Sequence, residues 1–355
     1  MSTRDNWSRR ELLRAAGVTG AGALLGTAGA HYAHGADQPT GEAAADNGAG
    51  LGTIREEPRQ TPVVADCDLC VIGGSATGVF AAVAAARLGA RVALVEDLGY
   101  FGGVATASLV NIWHSVFDTT GQRQIIAGLT TEVMDRLKKR GAVRIHERRE
   151  SSHFTFNPAE LALELDELTG EAEIRPFLHT RFVAPIVEEG RVVAAVIEDK
   201  TGRRAIRAKY FVDASGDGDL VARCGLPTRR DTEIQPPTTC GILVGLDKVA
   251  RQNKGFSLGQ AVFDPKYPNA LKNGFLWGAS VPGVPGAQMV AGTRVHGADC
   301  SDADQLTRAE LEGRRQLRTI CDIVRENFDG GDQIGLAAIP AQIGIRESRH
   351  AQCLH

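Results

Sequence analysis

The chain of 355 residues has no strong excess of either charge, few aromatic side chains and no long apolar run. Its formal net charge is -3 at pH 7 and its isoelectric point is about 6.3, so no basic field favours nucleic acid as a partner. The weakly apolar stretch 15–30 consists mainly of alanine and glycine, which argues against a stable membrane span. By contrast, 41 glycines and 43% hydrophobic residues are typical of a turn-rich α/β enzyme.

The seven cysteines show no spacing that binds a metal, and their odd number and wide separation give no disulfide framework. Cys67 and Cys70 have the spacing of a redox pair, but they fall in a predicted strand, where residues three apart point to opposite faces. We therefore expect both thiols to be packing residues. A zinc or iron–sulfur site is not expected.

The N-terminus has the features of an export signal. Arg9 and Arg10 precede the apolar stretch, and small residues follow it. This order resembles the twin-arginine signal, whose export machinery carries proteins that are already folded. Residues 1–36 are predicted to be that signal and 37–65 a flexible linker, which implies a periplasmic or extracellular location in a bacterium. The alternative is an ordinary basic amphipathic N-terminus.

A nucleotide-binding motif begins at the apolar strand 68–72. The strand runs into the turn 73–78 and then into an alanine-rich helix that ends near Gly89. In such a unit the pyrophosphate lies on backbone amides at the helix N-terminus. The middle glycine of the usual G-x-G-x-x-G pattern is Ser75 here, so its side chain must point away from the phosphate or bond to it.

The second strand, 91–96, ends at Glu96, about 20 residues after the glycine turn, where an acid usually accepts hydrogen bonds from ribose hydroxyls. Gly102 and Gly103 follow and again allow the backbone to approach a long ligand. This second glycine pair favours FAD. The alternative is a plain NAD-binding dehydrogenase, which would continue into regular βαβ units.

The region 66–236 is predicted to form a Rossmann-like FAD-binding domain in which a parallel sheet carries a β-meander, with 336–355 returning to it. We expect a strand at 177–183, a meander over 191–198 and 203–209, and a strand 210–214 that rejoins the parallel sheet. A helix is expected over 122–140, and another begins at Pro158 with Asn157 as its cap.

The region 237–335 is predicted to be a smaller, mainly antiparallel substrate domain that covers the site. Its β-like runs are 240–246, 274–281 and 287–295, separated by turns rich in proline and glycine. A capping box at Thr307 and Glu310 predicts a helix that begins there and continues to about Phe328.

Four motifs in order resemble the FAD-dependent oxidoreductases of the glutathione-reductase-like superfamily, whose members bind two dinucleotides. They are 73–78, 102–106, 213–219 and 344–349, and the likeness covers residues 66–349. It implies FAD contacts along these motifs, with a backbone contact from Val183 to the adenine. The implied residues are Gly73, Gly74, Ser75, Ala76, Thr77, Gly78, Glu96, Gly102, Gly103, Ala105, Thr106, Val183, Ala214, Ser215, Gly216 and Asp217. For Asp217 and Asp219, simple turn chemistry is the alternative.

The resemblance also places the late strand 344–349 near the active site. Arg346 is therefore the first candidate for a catalytic cation beside the flavin, and His114 and His296 are weaker candidates for catalysis. A structural ion pair between Arg346 and Glu347 is the competing interpretation. Lone histidines are more often structural.

The predicted function is that of an FAD-dependent oxidoreductase, moving a hydride or electrons between flavin and an unidentified small molecule, with an unknown electron acceptor. Members of the family continue past the 344–349 motif into a glycine-rich strand–turn–helix, whereas this sequence ends at His355. We therefore expect a C-terminally truncated chain. The alternative function is that of an inactive fragment that binds FAD weakly or not at all.

Overall fold

The structure is a computed structural model that describes residues 52–146, 153–272 and 274–353. The predicted signal peptide and most of the linker lie outside these ranges. Contacts divide the chain into two units, 1–58 and 59–355, and residues 52–58 of the first form neither helix nor strand. Every element described below belongs to the second unit. No helix in these ranges has the length and apolar content needed to cross a membrane.

The described part of the chain contains fifteen strands and seven α-helices. The strands are β1 (Val63–Ile72), β2 (Val92–Val95), β3 (Ile112–His114), β4 (Val143–His146), β5 (His153–Phe156), β6 (Arg175–Phe177), β7 (Arg181–Glu188), β8 (Arg191–Asp199), β9 (Gly202–Asp213), β10 (Thr228–Arg229), β11 (Gly241–Val244), β12 (Trp277–Ser280), β13 (Ala287–Ala291), β14 (Gly335–Ala338) and β15 (His350–Ala351). The helices are α1 (Ala76–Arg87), α2 (Leu129–Lys139), α3 (Pro158–Glu171), α4 (Asp219–Arg223), α5 (Leu246–Gln252), α6 (Leu258–Ala261) and α7 (Ala303–Asn327).

The central sheet has six strands in the order β6-β2-β1-β9-β8-β7. Strands β6, β2, β1 and β9 are parallel, and β8 and β7 extend the sheet as an antiparallel meander. Helix α1 covers one face, where Val79 and Val83 belong to the same core as Leu94. The other face buries Ile72 and Ile197. Burial on both faces explains the apolar run 69–72 at the end of β1 and the apolar β2, and it confirms the predicted Rossmann-like class.

Strand β1 begins at Val63, three residues inside the stretch predicted to be linker. Val63 and Ala65 pair with Ala205 and Ile206 of β9, so backbone hydrogen bonding extends the strand backwards beyond the apolar run. Cys67 and Cys70 lie on β1, and both thiols are free and buried. Burial raises the pKa of both thiols, which keeps them protonated. They are packing residues, as predicted.

Two strand predictions were wrong in their boundaries. The stretch 177–183 is not one strand, because the backbone at His179 is left-handed (φ 49°) and separates β6 from β7. Conversely, the runs 203–209 and 210–214 form a single 12-residue strand, β9. Its first half pairs with β8, and much of its length pairs with β1. The meander and the return to the parallel sheet are therefore one continuous strand.

The second half of the chain contains a four-stranded antiparallel sheet in the order β12-β13-β11-β14, which confirms the predicted antiparallel architecture. Helix α7 packs on it through Leu317 and Val324. The helix begins before the capping box predicted at Thr307. Its cap is Asp302, whose carboxylate accepts a hydrogen bond of 2.9 Å from Gln305 N, so an acid upstream of Thr307 already satisfies the first turn.

A third sheet, β3-β5-β4, and helices α2 and α3 lie against α1. Asn157 caps α3 as predicted, with its side-chain oxygen accepting a hydrogen bond of 3.0 Å from Ala159 N. Helix α2 starts at Leu129, later than the predicted 122, because 118–126 folds into turns around the Asp118 carboxylate. The remaining pair of strands, β10 and β15, is antiparallel.

Substitutions of two leucines on α3 test how much the core beneath α1 contributes to the free energy of unfolding. Leu161 is fully buried, whereas Leu163 is 57% exposed. We expect Leu161→Ala to lower the free energy of unfolding by about 2–5 kcal/mol, because it leaves a cavity, and Leu163→Ala to lower it by less than about 1 kcal/mol. Urea unfolding of both variants measures the difference. Equal losses would show that this core is not what stabilises the helix.

Candidate functional site

The turn after β1 depends on glycine at its first position. Gly73 has a φ of 101°, and a Cβ placed on it would overlap the carbonyl of Ala214 and lie 2.7 Å from Ser215 N. A Cβ on Gly78 would overlap the carbonyl of Gly73 in the same way. The absence of side chains therefore lets the ends of β1 and β9 touch, with the start of α1 against them.

Ser75 replaces the middle glycine without strain, because its φ is -57°. Its hydroxyl accepts a hydrogen bond of 3.2 Å from Gly78 N and donates one of 3.2 Å to Ala214 O. The side chain is therefore the N-cap of α1 and a tie to β9. The first turn of α1 has no acidic residue, so the positive end of the helix dipole is available to an anion.

The second glycine pair lies directly beside this turn. Gly102 donates a hydrogen bond of 2.8 Å to Gly74 O, and Ser75 and Gly102 form a parallel bridge. Thr106 closes the following 3-10 turn through a hydrogen bond of 2.7 Å from its hydroxyl to Phe101 O. The two glycine motifs, separate in sequence, thus form one backbone surface.

Glu96 lies at the end of β2 with 8% of its surface exposed. One carboxylate oxygen accepts a hydrogen bond of 2.7 Å from Gly74 N, and the other accepts one of 2.8 Å from Leu98 N. Burial raises the pKa of Glu96, and these backbone donors oppose the rise. The carboxylate is therefore fixed beside the glycine turn, where the sequence predicts a ribose contact.

The turn after β9 connects to the late motif. The Asp217 carboxylate accepts a hydrogen bond from the Ser348 hydroxyl, and Asp219 pairs with Arg349 at 3.4 Å. Burial raises the pKa of Asp217. Asp213 instead accepts hydrogen bonds from Ser215 and Val221. Turn chemistry thus describes Asp213, while Asp217 and Asp219 join the turn to the late segment.

A cavity of about 300 Å³ opens at these strand ends. Its walls include the following predicted residues: Gly73, Ser75, Glu96, Gly103, Ala214, Ser215 and Asp217. The other predicted residues lie outside its lining: Gly74, Ala76, Thr77, Gly78, Gly102, Ala105, Thr106, Val183 and Gly216. The Val183 carbonyl accepts a hydrogen bond of 2.7 Å from Arg223.

Several residues of the cavity were missed by sequence reasoning. They are Ile72, Val95, Asp97, Thr180, Arg181, Phe182, Arg223, Cys300, Ser301, Ala303, Leu306, Gln342 and Ile345. Asp219, for which the sequence left turn chemistry as the alternative, also lines the cavity. Thr180 had a detectable signal, because it follows a strand that ends beside Glu96, and its N–H donates to Glu96 O. Cys300 and its neighbours come from the distant loop before α7 and carry no local motif. Burial raises the pKa of the Cys300 thiol to about 11.

Neither predicted catalytic residue, Arg346 or His114, is in the cavity lining. Arg346 is exposed and donates a hydrogen bond of 3.1 Å to Gln235 Oε1. Glu347 bonds instead to Gln235 N at 2.9 Å, so the proposed Arg346–Glu347 ion pair is not formed. The segment 344–349 is also not a regular strand, because Gly344 makes only an isolated bridge to Thr238.

His114 and His296 are both exposed, and neither lines the cavity. His114 lies on β3, where its ring is 5.2 Å from that of His153. The part of the His114 ring that is shielded from water, and then the charge of His153, lower the pKa of His114. The structure therefore does not bring His114 and Arg346 together at the nucleotide cavity.

Comparison with known proteins identifies the family. The model of the FAD dependent oxidoreductase family matches residues 68–355, and the chain belongs to this family. No curated protein matches the sequence.

Among solved structures, a geranylgeranyl bacteriochlorophyll reductase-like protein from Thermoplasma acidophilum is similar, with a TM-score of 0.51 and 13% sequence identity. The match covers 80% of this chain and 66% of the Thermoplasma protein. A p-nitrophenol 4-monooxygenase from Pseudomonas putida DLL-E4 is also similar, with a TM-score of 0.51 and 13% sequence identity. That match covers 81% of this chain and 69% of the monooxygenase. These likenesses show a shared fold. The chain spans just under two thirds of the length of the Thermoplasma protein.

Comparing substitutions at two glycines distinguishes the cost of a steric clash from the cost of a left-handed backbone. Gly73 (φ 101°) faces the Ala214 carbonyl, whereas Gly89 (φ 91°) has no atom within 4 Å of an added Cβ. We expect Gly89→Ala to cost only backbone strain, about 1–2 kcal/mol, and Gly73→Ala to cost more and to abolish retention of FAD. Thermal unfolding and flavin absorbance measure both effects. If the two variants behave alike, close packing at Gly73 is not required.

The buried Asp217 carboxylate gives a pH-dependent prediction. Because its pKa is raised above 3.8, its contribution to stability is present below that pH and is lost as pH rises through the raised value. Asp217→Asn should therefore stabilise the FAD-free protein at neutral pH, with the gain disappearing toward about pH 4. Thermal unfolding across this range measures it, with exposed Asp135→Asn as the control. A gain that did not depend on pH would contradict the explanation.

Proposed function

We propose that this member of the FAD-dependent oxidoreductase family binds FAD at the carboxyl ends of β1, β2 and β9 and transfers a hydride or electrons between the flavin and a small molecule. The convergence of the Gly73 turn, the Gly102–Gly103 backbone and the fixed Glu96 carboxylate supports this most strongly. A carboxylate beside two glycine motifs at such strand ends suits the adenosine half of a dinucleotide.

The residues fit the chemical demands of FAD. The amides at the start of α1 face an anion, with no acidic side chain in the first turn to oppose it. Glu96 is positioned to accept hydrogen bonds from ribose hydroxyls. Arg181, whose guanidinium pairs with Asp97 at 2.5 Å, lies in the cavity wall and can turn toward a phosphate or the adenine.

When bound, FAD supplies the redox chemistry, and the protein supplies position and charge. Arg346 is the proposed cation near the flavin, which is supported by its neighbour Ile345 in the cavity wall. His114 remains a sequence-based candidate for proton transfer. The substrate and the electron acceptor are not identified by these contacts, since this fold hosts many reactions.

We also propose that the protein is exported in folded form by the twin-arginine machinery to the periplasm or the exterior. The supporting signal, Arg9 and Arg10 before an apolar stretch, lies outside the described residues. Loading of the cofactor before export would explain why a folded-protein route is used.

Two other functions make different predictions. An inactive fragment that binds FAD weakly would purify colourless and tend to aggregate. A plain NAD-binding dehydrogenase would bind NAD and release flavin during purification.

The test is to purify the full chain and measure flavin absorbance in the folded protein. We expect retained FAD, with Glu96→Gln weakening FAD binding by about ten- to hundredfold, because a neutral amide is a poorer acceptor for ribose hydroxyls than a carboxylate. Glu188→Gln, at the exposed end of β7, is the matched control and should bind like wild type. A folded, colourless protein that does not take up added FAD would refute the proposal.

A further inference from the structure

Two arginines outside the nucleotide cavity lie on extended segments on either side of residues 235–239. On one side, Val295 N donates to Pro237 O at 3.2 Å, which places Arg294 beside this segment. On the other, Thr238 and Gly344 exchange backbone hydrogen bonds of 3.0 and 2.8 Å, two residues before Arg346. The short segment thus lies between two stretches of backbone that are distant in sequence, and each of them carries an arginine.

Neither guanidinium has an acidic partner within the residues that the structure describes. Arg294 donates to the backbone carbonyls of Thr293 (2.6 Å) and Phe275 (3.4 Å). Arg346 donates only to the amide oxygen of Gln235. Each guanidinium has five N–H donors, so both retain unused donors.

The two charges act on one another. Burial, and then the like charge of Arg346, lower the pKa of Arg294. Both cations also oppose the rise in pKa that burial imposes on the nearby Cys240 thiol. Two cations on adjacent segments without a carboxylate repel one another, and a bound anion removes that cost.

The position of this pair is next to the cofactor cavity. Gln342 and Ile345, which flank Gly344, line the cavity. A Cβ on Gly344 would lie 3.6 Å from both Ser108 and Val110, in the segment that leads out of the 102–106 turn. Between them, Leu109 has a left-handed backbone (φ 60°), a strained conformation of the kind found at functional sites.

One further feature describes the chemistry of the surroundings. The Phe275 ring lies 4.8 Å from the Arg294 guanidinium and is 65% exposed. An exposed aromatic face beside one of the arginines suits an anion attached to a carbon skeleton more than a fully hydrated inorganic ion.

We propose that Arg294 and Arg346 together bind the carboxylate of a small organic acid, which makes organic acids the substrate class of this enzyme. The assignment of this acid as substrate rests on the proposed function, whereas the anion site itself does not. The planar guanidinium matches a carboxylate through paired N–H donors. The exposed Phe275 ring beside Arg294 would contact the carbon skeleton.

The test is isothermal titration calorimetry of the full-length protein with sodium benzoate and sodium succinate. Their amides, benzamide and succinamide, are the neutral controls, and inorganic phosphate is the third arm. We expect at least one carboxylate to bind while its amide does not. Arg294→Gln and Arg346→Gln should each weaken that binding by about ten- to hundredfold.

Three controls make the result decisive. Arg251→Gln removes an exposed arginine that pairs with Asp247 on α5, and it should leave binding unchanged. Arg294→Lys and Arg346→Lys should restore part of the affinity, because a charge remains without the paired geometry. A cooperative unfolding transition at or above the wild-type temperature verifies that each variant is folded.

The proposal is overturned if neither carboxylate binds, if the arginine variants bind as well as wild type, or if phosphate binds more tightly than either carboxylate. Flavin absorbance of the same samples separates this outcome from failure of the proposed function. A protein that stays colourless after FAD is added but still binds a carboxylate through both arginines would refute the FAD reaction alone. A yellow protein that binds none would refute the anion site alone.

Discussion

The close approach of Gly73 to the backbone of Ala214 is the contact on which the rest of the site depends. It lets β1 and β9 end side by side, and this places the start of α1 against both strands. Ser75 can then cap the helix and bond to Ala214 at once. Glu96 is fixed by Gly74 of the same turn. A side chain at Gly73 would displace all of these groups together, because they share one turn.

Local patterns predicted the parts of the fold that local physics determines. The apolar strands, the Asn157 cap and the glycine turn follow from residue types within a few positions of one another. The break at His179 and the continuity of β9 could not be predicted in this way. Both depend on partners across the sheet: His179 N bonds to Leu98 O, and β9 is held by β8 and β1 at the same time.

The same distinction applies to the site. Glu96 and the glycines carry a recognisable spacing, and the sequence predicted them. Cys300, Arg181 and Arg294 reach their positions only through tertiary packing, and nothing in their own neighbourhoods marks them. The family resemblance identified Arg346 as a candidate. The second arginine, Arg294, lies in a part of the sequence that carries none of the family motifs. A pair of this kind is visible only when two extended segments are placed on either side of residues 235–239.

The long strand β9 has a consequence for the order in which the protein is made. Ser75 and Ala214 are 139 residues apart in sequence, so the nucleotide turn leaves the ribosome long before its partner. Until β9 emerges, β1 and β2 have an open edge, and the glycine turn has nothing to close against. Such distant pairing is slow to form, and the growing chain therefore exposes an unpaired strand during synthesis. Assistance by chaperones is most valuable in that interval, before the cofactor pocket can exist.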